Sequence, residues 1–234
     1  MRGRGTLIVA VLAVLLAAAA VLLLSPEREP SYEGRSLSQW LQVPGQFSPE
    51  GTRVDEAIRH IGTNALPCLF RWIRAKPPPC GRLVESGKLP QWFLYLLLRF
   101  PLGRFLWHDR FDDATVCIMM LGAEARPAIP ALVRVINRSK DPYRVSRAML
   151  TLNFIGEDSV PALANCLADP REAVRVAAAG HLGQLGAKAR LVLPALLGTL
   201  SDPSPWVREI TTNALRKIAP EELEKSAGTD RPEN

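Results

Sequence analysis

Histidine is scarce in this 234-residue chain: His60, His108 and His181 lie far apart, and none is followed by glutamate in a metal-binding pair. The four cysteines contain no CxxC, so a zinc site has no support. A Gly-rich phosphate loop and a GxSxG elbow are both missing, which removes the parts for P-loop phosphoryl transfer and for a serine nucleophile. Catalysis needs groups that converge, and the adjacent Asp112 and Asp113 read as the cap of the helix DDATVCIMML rather than as an acid–base pair. No catalytic residue, metal ligand or cofactor is therefore assigned, and the chain is expected not to be an enzyme. Cys117 and Cys166 fall at apolar positions of separate helices and read as buried thiols. A Cys68–Cys80 disulfide stays open, because sequence alone cannot bring two Cα atoms within bonding range.

Long apolar runs are also few, and the main one stands at the N-terminus. Thr6 to Leu24 carries no charge. At about 1.5 Å rise per residue, it spans roughly the 30 Å hydrocarbon core of a bilayer. It is longer than a secretory apolar region, and Val21 to Leu24 continue past the small residues Ala17 to Ala20. Residues 1–24 are therefore read as an uncleaved signal-anchor, with a cleaved signal peptide and secretion as the alternative. Arg2 and Arg4 precede the run, which places the N-terminus in the cytoplasm and the remainder outside the inner membrane. The segment 25–52 reads as a linker and N-terminal cap, with Tyr32, Leu37, Trp40 and Leu41 closing the first layer. The polar tail 225–234 reads as frayed.

The strongest pattern is an internal repeat. A shift of 33 residues superimposes Pro161 on Pro194, Leu163 on Leu196, Leu167 on Leu200, Asp169 on Asp202, Val174 on Val207, Arg175 on Arg208 and Leu182 on Leu215. Each unit is a helix pair. Leu193, Leu196, Leu197 and Leu200 make one buried stripe of a first helix spanning Lys188 to Leu200. A second helix from about Pro205 to Ile218 buries Val207, Ile210, Ala214, Leu215 and Ile218. Small residues Ala177, Ala178 and Gly180 are expected to let neighbouring helices approach closely. The interval Pro130 to Asp141 is three residues longer than Pro161 to Asp169 or Pro194 to Asp202, which predicts an enlarged turn.

The string DPREAVRVAAAGHLGQLGAKA (Asp169 to Ala189) resembles the HEAT-repeat family, especially the short bacterial repeats of the phycobilisome-lyase type. LGAEARPAIPALVRVI (Leu121 to Ile136), DPYRVSRAMLTLNFIG (Asp141 to Gly156) and EAIRHIGTNALPCLFRWIRA (Glu56 to Ala75) extend the likeness with falling fidelity. The segment YEGRSLSQWL (Tyr32 to Leu41) is similar to one that precedes the repeats in signal-anchored bacterial HEAT proteins. The resemblance implies an all-α superhelix of about four helix pairs over residues 53–224, following an N-terminal transmembrane helix. It also implies that Asp169, Arg175, Asp202 and Arg208 form polar links between stacked repeats. The lyase association belongs to a repeat type shared by many unrelated proteins and does not transfer chemistry.

Residues 76–111 fit no repeat. From Arg71 to Arg110 there are eight bases against two acids, a surplus of six that equals the net charge of the whole chain. Trp72, Trp92, Phe93, Tyr95, Phe100, Phe105 and Trp107 cluster in the same stretch. Three readings stand: a helix packed on the solenoid, an element at the membrane interface, or nucleic-acid binding through a basic, aromatic patch, with Trp92, Arg99, Arg104, Trp107 and His108 as the candidate membrane-facing or ligand residues. Nucleic acid is disfavoured, since the domain is expected outside the cytoplasm. The primary functional expectation is a scaffold whose second helices receive an unidentified protein partner. Arg144, Arg171, Glu172, His181, Gln184, Glu209, Asn213 and Arg216 are its candidate surface. An accessory subunit or lyase-like enzyme, and membrane-surface binding by the insertion, are the alternatives.

Overall fold

The computed structural model describes residues 29–42, 49–76 and 109–222. The expected anchor, the tail, most of the insertion and Cys80 lie outside the described residues. A two-stranded hairpin, β1 (Ser31–Tyr32) and β2 (Arg35–Ser36), opens the described chain and leads into the short helix α1 (Leu37–Leu41). The hairpin is a small β element in an otherwise helical structure. Ser36 and Gln39 form a reciprocal capping box, and the Trp40 indole donates to the Tyr32 carbonyl at 3.0 Å. Leu37 and Trp40 are buried, Tyr32 and Leu41 pack half-buried against the core, and Glu29 pairs with Arg110 at 3.6 Å. Residues of this segment thus join the apolar core at its N-terminal end.

The helices then alternate. Second-type helices are α2 (Pro49–Ile61), α4 (Arg110–Leu121), α6 (Pro142–Ile155), α8 (Glu172–Leu185) and α10 (Pro205–Ile218). First-type helices are α3 (Leu66–Arg74), α5 (Ile129–Arg138), α7 (Val160–Asn165) and α9 (Leu193–Thr199). Consecutive second helices α4, α6, α8 and α10 pack side by side, and one continuous apolar core runs through the stack. In α6 the buried residues Val145, Ala148, Met149, Leu152 and Ile155 follow the period of a single helical face. The result is a helical solenoid.

Two local devices recur at the ends of the second helices. At the start, an aspartate accepts from the backbone N–H two residues on. Asp109 to Phe111, Asp141 to Tyr143, Asp169 to Arg171 and Asp202 to Ser204 each measure 2.9 Å. At the far end, Gly62, Gly122, Gly156 and Gly186 turn the chain with φ of 55°, 55°, 92° and 58°, a region that a Cβ disfavours. A 3-10 turn and a proline at the start of the next first helix follow each glycine. Asp109, not Asp112 or Asp113, is therefore the cap of α4. Asp112 and Asp113 sit in its first turn, with Asp113 buried 3.8 Å from Arg110.

Two further expectations need correction. The three extra residues after Pro130 lengthen helix α5 to Arg138 instead of swelling the turn, which is only Ser139 to Asp141. Of the two glycines Gly180 and Gly183 in α8, it is Gly183 that marks a close helix approach. A Cβ on Gly183 would lie 2.9 Å from Ala214 Cα and Cβ of α10, whereas one on Gly180 would meet Ile210 at an ordinary 3.8 Å. The stretch Arg110–Arg138 is apolar and long enough to cross a membrane by length and composition. Here it is two core helices broken at Gly122.

Burial pushes the Cys117 thiol up to about 12 and the Cys166 thiol up to about 11. The thiolate is the reactive form, so neither residue should react with iodoacetamide at pH 8 in the folded protein. Both should be alkylated in urea, as peptide mass spectrometry would show. Native labelling at the unfolded rate would contradict the burial described here.

Candidate functional site

The geometry of the polar links decides where the stack is closed and where it is open. Arg175, six residues after Asp169, reaches from α8 to Asp202 of the next unit with two hydrogen bonds of 2.8 and 3.0 Å. Its third nitrogen donates to the Asp169 carbonyl at 3.0 Å, so one side chain braces two turns. Arg208 occupies the same place in the last unit and donates to its own turn, at the carbonyls of Asp202 and Pro203.

Arg147 stands six residues after Asp141 and should by the same rule bridge to Asp169. It turns back instead, to the Thr115 hydroxyl at 3.1 Å and toward Asp112 at 3.9 Å. Asp169 is taken by Arg171, with guanidinium contacts of 2.8 Å to both carboxylate oxygens. Arg171 continues to the Ile136 carbonyl at 2.8 Å and the Ser139 carbonyl at 3.4 Å, closing the end of the long helix α5.

A groove of about 960 Å³ opens where that rung is missing. Val145, Met149, Val174 and Ala177 of α6 and α8 line it together with Pro142 and Ala173, and Arg138 and Lys140 stand at its edge. Among the described residues neither Arg138 nor Lys140 has an ion-pair or hydrogen-bond partner. An apolar surface edged by uncommitted cations can hold an extended or helical segment that carries apolar side chains beside carboxylates.

Residues 160–231 match the family of HEAT repeats. This part of the chain is a HEAT-repeat array. No curated protein matches the chain. Among solved structures, the complex of CpcE and CpcF of phycocyanin lyase from Nostoc sp. PCC7120 is similar at 17% identity, covering 86% of this chain and 72% of that chain, with a TM-score of 0.43.

The HEAT ladder absorbs part of the surface that the sequence pointed to. Arg144 turns inward: it donates to the Ala75 carbonyl at 2.9 Å, pairs with Asp109 at 3.5 Å and lies over the Phe111 ring at 4.4 Å. Arg171 is engaged as described, and Glu172 accepts from the Ser204 hydroxyl of the next unit. Gln184 accepts from Asn153 at 3.1 Å and lies 3.3 Å from His181 Nδ1, so these residues tie α6 to α8. Glu209 and Asn213 are exposed, and Arg216 donates to Asn213 at 2.6 Å. The eight residues are thus spread over α6, α8 and α10 and do not converge on one site. Trp92, Arg99, Arg104, Trp107 and His108 lie outside the described residues. Among the described residues no three His, Cys, Asp or Glu side chains are grouped to hold a metal ion.

The sequence reading missed Arg138, Lys140, Val145 and Met149. The available signal was the longer Pro130 to Asp141 interval, whose consequence is a longer α5 that ends at Arg138 beside the groove.

Hydrogen bonds from Arg171 hold Asp169 below the usual carboxylate range, and those from Arg175 do the same for Asp202. Burial pushes the His181 imidazole below its ordinary value, since the site disfavours its cation. In each case the unfolded chain binds more protons, so the stabilisation is complete above the unfolded pKa and is lost as pH falls through the folded value. For His181 the loss starts below about pH 6.5 and for the aspartates below about pH 3.9. The urea midpoint should therefore fall in two steps on acidification, and His181→Gln should remove only the upper one. An unchanged upper step would dissociate it from His181.

Proposed function

We propose that this protein is a membrane-tethered HEAT-repeat scaffold without catalytic activity of its own, and that it binds a partner protein in the groove between α6 and α8. The supporting observation is the gap in the inter-repeat ladder: Arg147 turns away from Asp169, and the space left is bordered by the exposed Pro142 and Ala173 and the half-buried Ala177, beside Arg138 and Lys140. Solenoids bind extended segments along such surfaces. The tether is the signal-anchor read at residues 1–24, which places the repeats outside the inner membrane, or in the secreted fraction if the segment is cleaved. The partner segment is expected to be acidic and apolar.

A photocrosslinking residue at Ala173 in the full-length protein, irradiated in native membranes, should give a discrete adduct. The same residue at Arg126, exposed elsewhere on the stack, should not. Lys140→Glu should abolish the Ala173 adduct. Equal, diffuse labelling from both positions would end this reading.

A lyase-like enzyme would gain support from Arg99, Arg104, His108 and Asp109 gathered around one concave cavity. Asp109 is spent on capping α4 and pairing Arg144, and the other three lie outside the described residues.

A further inference from the structure

A second, smaller cavity of about 300 Å³ lies between α3 and α5, against the start of α6. Arg74, Arg134, Arg138 and Arg144 line it, beside Ile73 and Val135. Asp109, which pairs with Arg144 at 3.5 Å, is the one carboxylate that touches these four guanidinium groups among the described residues.

Arginine at the C-terminal end of a helix is often explained by the helix dipole and its unpaired carbonyls. That work is already done here by other residues. Arg171 takes the Ile136 and Ser139 carbonyls at the end of α5, and Arg144 takes the Ala75 carbonyl at the end of α3. Arg74, Arg134 and Arg138 make no hydrogen bond or ion pair among the described residues. Arg144 Nε is buried and has no hydrogen-bond partner. Four cations facing one anion repel one another, and an oxyanion placed between them relieves the repulsion and receives forked hydrogen bonds.

We infer that Arg74, Arg134, Arg138 and Arg144 form a binding site for a phosphate monoester. The surplus of three positive charges suits a dianion better than a single carboxylate. The cavity is at the small end of ligand sites, about 300 Å³, yet roomier than a bare oxyanion needs. Ile73 and Val135 provide an apolar wall for the ester's body. The site is separate from the α6–α8 groove, although Arg138 and Ser139 border both.

The test is isothermal titration of the full-length protein in detergent with phenyl phosphate, with benzoate as the singly charged control. Phenyl phosphate should bind saturably and at least ten times more tightly than benzoate. Arg134 and Arg138 are exposed, so the double variant Arg134→Gln/Arg138→Gln should keep its urea midpoint while losing at least tenfold in phenyl phosphate affinity. The charge-preserving Arg134→Lys/Arg138→Lys variant should fall between the two. A short phosphotyrosine peptide distinguishes the sources: tighter binding than phenyl phosphate assigns the ester to a polypeptide, and weaker binding assigns it to a free small molecule. Binding no stronger than that of benzoate, or unaffected by the double glutamine variant, would overturn the site. Arg138 borders both sites, so Lys140→Glu, which alters the groove alone, is the control: it should leave phenyl phosphate affinity unchanged, and a tenfold loss with it would move the ester to the groove and overturn this site.

Discussion

Gly183→Val is expected to lower the stability of the folded chain by about 3 kcal/mol, the upper end of ordinary overpacking costs. The cause is the contact between α8 and α10. The added Cβ would sit 2.9 Å from Ala214 Cα, and a backbone atom cannot swing aside as a side-chain tip can. Relief requires the two helices to part, which loosens Leu182 and Leu215 in the shared core. Equilibrium urea unfolding followed by circular dichroism measures the loss. Gly180→Val serves as the comparison, because its Cβ meets only the Ile210 side chain at 3.8 Å. If the two variants lose equal stability, the tight approach at residue 183 is wrong.

Phe111→Ala should cost about 3–5 kcal/mol, the usual range for emptying an aromatic core position. Phe111 is fully buried in the first turn of α4. Arg144 of α6 lies over its ring at 4.4 Å and donates to Ala75 beyond α3, so the ring is a spacer for three elements. Removing it leaves a cavity and deprives a largely buried guanidinium of its platform. Phe111→Leu should recover most of the loss. A double-mutant cycle with Arg144→Met would separate packing from the ring–cation contact.

Much of the fold was legible because the repeat carries it. The 33-residue register placed Leu163 under Leu196 and Leu182 under Leu215, and the second helix Pro205 to Ile218 has the expected bounds. The burial of Leu37 and Trp40 was readable, since apolar residues in a polar context must find a surface to cover. What escaped was set by geometry between units. The role of Gly183 depends on the distance to a helix 31 residues away, and Gly180 has the same local sequence character. The caps at Asp109 and Asp141 were readable only once the start of each helix was known. The groove was least legible, because it arises from a contact that Arg147 does not make. A sequence shows the residue and its offset from Asp141, but not that Arg171 occupies Asp169 while Arg147 turns to Thr115.

The uneven ladder also has a mechanical consequence. The Arg175–Asp202 bridge acts as a diagonal brace that fixes the angle between the last two layers, in the way a cross-tie stiffens a frame. The joint between α6 and α8 has no such tie from Arg147 to Asp169; Arg171 fastens its near end to the Ile136 and Ser139 carbonyls, and the Asn153–Gln184 pair fastens the far end. Torsion applied to the solenoid should therefore meet a paired guanidinium–carboxylate bridge at the last joint and only contacts to backbone carbonyls and one amide pair at this one, which makes the α6–α8 joint the more compliant of the two. Opening that joint widens the groove, and a segment seated in it would act as a wedge that sets the curvature of the whole stack.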